Sequence, residues 1–141
     1  MGVREAISQA DALLPGEPVE QGEDPRWQAI IAVEEHIESE PEAVWSFIRR
    51  WGGHPQEDLR DAIAACLLEH LLEHHFAVYF PQVEELAFSA SLFGDTFLRC
   101  WQFGRSVEQD NARRFQALRA RLLEAEEGAP AAPPDRTARW R

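Results

Sequence analysis

The chain has 141 residues, an apolar fraction of 45% and a formal net charge of −11, with arginine supplying all fourteen basic residues. These totals fit one domain with a real core, and no run approaches the roughly 18 apolar residues of a membrane helix. Two cysteines, Cys66 and Cys100, are too few for a disulfide scaffold and point to reduced thiols in a cytoplasmic protein. The opening stretch MGVREAISQADALLPGE carries acids and no long apolar run, so it does not read as a signal peptide. Gly2 with Ser8 is a weak match to a myristoylation signal.

In chain order, residues 3–14 predict a short helix with Val3, Ile7, Ala10 and Leu14 at helical spacing. PGEPVEQGEDP, residues 15–25, has no apolar pattern and reads as a linker or ordered loop. RWQAIIAVEEHIE, 26–38, predicts a helix with its acids toward the end, a weak arrangement against the helix dipole. Ser39-Glu40-Pro41-Glu42 has the spelling of a capping box for a helix burying Val44, Trp45, Phe47, Ile48 and Trp51, ended by Gly52-Gly53. Pro55, Glu57 and Asp58 then open the longest helix, running to about Tyr79 or Phe80. Pro81 is expected to break it and to start PQVEELAFSASLF, with a joint at Gly94 and Asp95. DTFLRCWQF predicts a further helix, ended by Gly104. Ser106 is expected to cap the last one, striped by Phe115, Leu118 and Leu122, with Arg113, Arg119 and Arg121 mostly outside the stripe. No segment alternates with period two, so the fold class is all-α. The expected division is 1–25 as short helix and linker, 26–127 as the helical domain, and 128–141 as a disordered proline- and arginine-rich tail carrying Trp140.

The helices repeat weakly. Asp24-Pro25-Arg26 is followed by Ala29 and Ile30. Asp58-Leu59-Arg60 is followed by Ala62 and Ile63. Asp95 and Arg99 open a third apolar stretch with altered spacing. Such a period is typical of stacked helical hairpins. Residues 41–72, with Asp58, Arg60, Ala62, Ala64 and Ala65, resemble a HEAT-like (ARM-type) repeat. That resemblance implies a short α-solenoid of antiparallel hairpins; an irregular helical bundle is the alternative.

LLEHLLEHHF, 67–76, holds His70-Leu71-Leu72-Glu73-His74, the H-x-x-E-H spelling of a zinc peptidase family. Cys66, His70 and His74 are spaced i, i+4, i+8, which metal ligands can use. A complete site needs further ligands from His36, His54 or Cys100. On an ideal wheel, Glu69, Glu73 and Asp58 share the outer side, the leucines fill the opposite half, and the two histidines edge the core. Repetition of Glu-His-Leu-Leu produces the motif without any metal, so packing is the preferred reading and no metal or cofactor is assigned. No Ser-His-Asp order, glycine-rich phosphate loop or C-x-x-C pair is present.

Arg49-Arg50-Trp51 reads as a helix end meeting its dipole. The arginines of 105–121 are diluted by acids. The aromatics Trp27, Trp45, Phe47, Trp51, Phe76, Phe80, Phe88, Phe97 and Trp101 read as core first and binding surface second. Residues 128–141 carry +2 and the rest −13. So acidic a surface repels phosphate backbones, which argues against nucleic acid, and suits a basic protein. The expectation is a non-catalytic, acidic, bacterial protein-binding module, able to neutralise a basic partner. The alternative is a metal-binding protein or metal-dependent hydrolase using the Cys66, His70 and His74 face.

Overall fold

The computed structural model describes residues 1–127, and every regular element among them is helical. The expectations for 128–141 and Trp140 lie outside the described residues.

Helix α1 (Val3–Leu13) buries Val3, Ala6 and Ala10. The two alanines let it approach α2 (Pro25–Glu34) closely, and it also touches α3 (Pro41–Trp51). Val3, Ala6, Ala10 and Leu14 join the same apolar cluster as the rest of the chain. The packed unit therefore starts at residue 3. The loop between α1 and α2 is tied down rather than free. Pro15 O accepts from Arg26 Nη1 at 2.9 Å, and Gly16 O accepts from Gln56 Nε2 at 2.8 Å. Gly16 has φ +57, and a Cβ there would lie 2.8 Å from Arg26 Cδ.

Asp24 caps α2 by accepting from Arg26 N–H at 2.9 Å, with Pro25 in the first turn. The helix stops at Glu34, short of the expected 38, and residues 35–39 form a turn. Ser39 does not cap α3. The turn is bonded onto itself, with Glu40 N–H donating to His36 O at 2.8 Å, so the start moves to Glu40 with Pro41 following it. Val44, Trp45, Phe47 and Ile48 are buried as expected, and Trp51 is partly so. A Cβ on Gly52 would come within 2.6 Å of Ile48 O and 3.0 Å of the Phe93 ring. Close approach therefore selects that glycine.

The long middle segment differs most from expectation. It comprises α4 (Glu57–Ile63), a π-helical turn (Ala64–Leu68) and α5 (Glu69–Ser89). The wider turn rotates everything downstream relative to an ideal wheel. Glu69, expected outside, is only 5% exposed. The break falls at His75 (φ −134, ψ 43), not at Pro81, which lies inside α5. The ring N–H of His75 donates to Ile37 O at 3.0 Å and fixes the bend to the turn that follows α2. The carbonyl that Pro81 leaves without its helical partner belongs to Ala77, an exposed residue. Helix α6 (Ser91–Leu98) runs straight through Gly94 and Asp95; the joint is Ala90, in extended backbone. A Cβ on Gly94 would sit 3.1 Å from Ala87 O, so that glycine also serves close packing.

Residues 100–103, expected in a helix, form an irregular strap. It leads to a 3-10 turn (Gly104–Val107) and α7 (Gln109–Glu127). Ser106 does not cap α7. It is buried, and its hydroxyl has no hydrogen-bond partner among the described residues. Phe115 and Leu118 are buried and Leu122 partly so. The 57–89 segment is central, with α2, α3, α6 and α7 all packed on it. Stacked Phe76 and Phe80 (4.5 Å between ring centres) and the Phe97–Phe115 pair (4.7 Å) are buried where α5, α6 and α7 meet.

The repeating acids and arginines meet in space. Arg26 Nη2 binds Asp24 at 2.7 Å and Asp58 at 2.6 Å. Arg60 donates to His54 O at 2.9 Å and Pro55 O at 2.8 Å, and pairs with Asp95 at 3.0 Å. Arg99 binds Asp95 and Glu57, each at 2.9 Å, and Asp61. Arg26 and Arg60 each join a backbone carbonyl earlier in the chain to an acid 32 or 35 residues further along.

Candidate functional site: a carboxylate groove beside an aromatic strap

Where α2 ends against the first half of α5, a groove of ≈ 450 Å³ opens. One wall carries Ile31, Glu34, Glu35 and Glu38. The other side presents His70, Glu73 and His74. No arginine lines it. The π turn and the bend at His75 place these side chains. The first sets the phase of His70 and Glu73, and the second ties the turn after α2 to α5 through the Ile37 carbonyl.

His70 Nδ1 lies 2.7 Å from Glu73 Oε1, and His74 Nε2 lies 3.7 Å from the same oxygen. His74 Nδ1 is 3.9 Å from Glu38 Oε1. Glu73 thus hydrogen-bonds His70 and lies near His74, and the groove gathers four carboxyl side chains. Behind it, Glu69 is buried. Its Oε1 accepts from Trp101 N–H at 3.0 Å, and its Oε2 lies 3.9 Å from His70 Nε2. Burial pushes the Glu69 carboxyl above its ordinary value, and the Trp101 N–H and His70 oppose that shift.

The 100–104 strap lies along this helix. The Cys100 thiol points at Ala64 O, at 3.8 Å. The Phe103 ring stacks on His70, with centres 5.5 Å apart and planes 18° apart. Gly104, at φ +51, presses on Glu73, where a Cβ would meet Glu73 Cγ at 2.6 Å. Trp101 itself is 75% exposed and Phe103 40%.

Of the three candidate ligands, the structure brings His70 and His74 to one groove and leaves Cys66 outside its lining. Cys66 is half-buried, and desolvation, with Glu34 and Glu69 adding to it, pushes its thiol up to about 11. Cys100 is buried, and desolvation raises its thiol well above the ordinary value, an environment that disfavours the thiolate at both cysteines. His54 is engaged elsewhere, accepting from Gln56 N–H at 3.0 Å, and His36 is not among the lining residues. Among the described residues, no group of three or more His, Cys, Asp and Glu side chains is placed to hold a metal ion. Arg50 and the Trp51 indole N–H both bind Asp11 of α1, at 2.9 and 2.7 Å, so that pair clasps two helices. In the last helix Arg113 pairs with Asp110, while Arg114 and Arg121 lie over Phe80 and Phe88.

Sequence reasoning missed Glu34, Glu35, Glu38, Trp101 and Phe103 as neighbours. One signal was present: acids at the end of α2 sit where the helix dipole disfavours them. No helix among the described residues is long and apolar enough to cross a membrane. Comparison with protein-family models, characterised proteins and solved structures yielded no match for the chain.

Proposed function

We propose that the chain is a non-catalytic, HEAT-like helical-repeat module that binds a basic protein partner, and that the groove between α2 and α5 is where the partner docks. The observation that carries this reading is the groove's composition: Glu34, Glu35, Glu38 and Glu73 line it without any arginine. The chain of Arg26, Asp58, Arg60 and Asp95 supports the stacked-hairpin description, because it links successive units through equivalent side chains. The overall charge of −11 speeds encounter with a cation and repels nucleic acid. Neutralising a basic cytoplasmic protein, a nuclease for example, is a role that suits this charge and size.

The test is calorimetric binding of an arginine-rich basic peptide to the full chain across a salt series, repeated with Glu34→Gln, Glu38→Gln and Glu73→Gln combined. Binding that weakens steeply with salt and is lost in the triple variant supports the groove, because screening shortens the Debye length from about 10 Å at 0.1 M to about 3 Å at 1 M. Unchanged affinity in the triple variant removes the groove as the docking site.

A metal-binding role is the second reading, favoured by His70 and His74 lining one groove with Glu73 between them. Zinc titration of the purified chain decides it: stoichiometric uptake that disappears with His70→Ala and His74→Ala would replace the first reading.

A further inference from the structure

We propose that the pocket between the strap and α7 is a binding site for a small aromatic carboxylate, with Arg119 holding the carboxylate and Trp101 carrying the ring. The pocket shares no lining residue with the α2–α5 groove, so it stands or falls apart from the docking of a basic partner there.

Its volume of ≈ 580 Å³ lies within the range of small-molecule sites, which are mostly apolar with a few placed polar groups. Leu98, Cys100 and Phe115 supply apolar lining. Trp101 adds an indole that is 75% exposed. That wall is ordered in advance. The Trp101 amide donates to buried Glu69 at 3.0 Å. Gln102 accepts from Gln116 Nε2 of α7 and donates to Ser106 O, the latter at 2.9 Å, which braces the strap against the last helix. A surface fixed before binding loses little conformational freedom on binding.

The polar lining selects the ligand. Arg119 is partly buried and lines the pocket. Its neighbours are committed: Arg99 to Asp95, Glu57 and Asp61, Arg113 to Asp110, and Arg114 and Arg121 to phenylalanine rings. Among the described residues Arg119 pairs with no carboxylate and lies over no ring. The positions one turn away on α7 are Phe115, Gln116, Leu122 and Leu123, so its own helix offers it no acid. Its charge is felt at Cys100 on the pocket lining, where it opposes the rise that burial and Glu69 give the thiol. A guanidinium with open N–H groups takes a carboxylate edge-on in a two-bonded pair. One acid, Asp61, lines the pocket, and Arg99 already binds it. The chain as a whole carries −11, so a ligand with a second negative charge meets repulsion. A monoanion with a flat apolar body therefore suits the pocket better than a phosphate ester.

The probes are naphthoate, its uncharged amide and naphthyl phosphate. Each is titrated into the full chain by calorimetry and by NMR of the tryptophan indole N–H signals, with the Trp101 signal assigned from its loss in Trp101→Phe. Naphthoate is expected to bind and to shift the Trp101 signal, with the amide about tenfold weaker and the phosphate no tighter. Arg119→Gln should weaken naphthoate about tenfold, to the level of the amide. Arg121→Gln removes the same charge outside the pocket and should leave the affinity within about twofold. A matching circular dichroism melt shows that each variant folds; if Arg119→Gln does not, the carboxylate-to-amide ratio and the Trp101 shift in the unmodified chain decide. No binding of naphthoate, equal affinity for naphthoate and its amide, tighter binding of the phosphate, or an equal loss in the two arginine variants overturns the assignment.

Discussion

Glu69 offers the sharpest view of how the strap is held. Its side chain is almost fully buried and its one close hydrogen bond is to the Trp101 amide, at 3.0 Å. Replacing it with alanine leaves that N–H without a partner, and such a loss is worth about 1–3 kcal/mol. Glutamine keeps an acceptor oxygen and removes the burden of burying a charge. The sign of the pH dependence follows from the raised pKa. Protonated Glu69 favours the folded state, so its stabilisation is present below the ordinary value of 4.5 and is lost as pH rises through the higher folded value. Glu69→Gln is therefore expected to be more stable than the natural chain near neutral pH, with the gap closing as pH falls into the ordinary carboxyl range. Glu69→Ala should be the least stable of the three. Thermal unfolding by circular dichroism at about pH 4 and about pH 7 measures all three differences, and hydrogen exchange at the Trp101 amide shows whether the strap itself has loosened. Equal melting of the alanine and glutamine variants, or a glutamine effect that does not change with pH, would refute the role given to this carboxylate.

Arg26→Ala removes the buried partner of Asp24 and Asp58 together with the contact to Pro15 O, and should destabilise the chain by about 3–5 kcal/mol in chemical denaturation. Pro81→Ala restores an N–H inside α5 and should raise stability by about 1 kcal/mol or more; a loss would show that the proline has a packing role. Gly104→Ala forces a side chain into a left-handed conformation against Glu73, at a cost of about 2 kcal/mol, and should also raise exchange through the strap.

The all-helical class was legible because every apolar stretch follows helical spacing, and α1, α3 and α7 bury nearly the faces their patterns indicate. The repeating Asp and Arg positions were legible too, and they are joined in the fold. The junctions were not. Pro81 and the pair Gly94-Asp95 look like breaks, yet each lies inside a helix: the residue one turn before Pro81 is exposed, and Ala87 O sits too close to Gly94 for a larger side chain. The bend at His75 carries no local breaker. It is made by a hydrogen bond to Ile37, far away in sequence. The π turn precedes Glu69, which lies in the interior and accepts from the Trp101 amide of the irregular strap. His70 and His74 were found from their spacing, whereas the glutamates opposite them come from another helix and were visible only as acids in an unfavourable place.

The most direct measurement is amide hydrogen exchange along the full chain with and without the arginine peptide. Protection is expected at residues 34–38 and 70–74 together. Protection confined to the acids around Asp24 and Asp58, or none despite binding, would contradict docking at the α2–α5 groove.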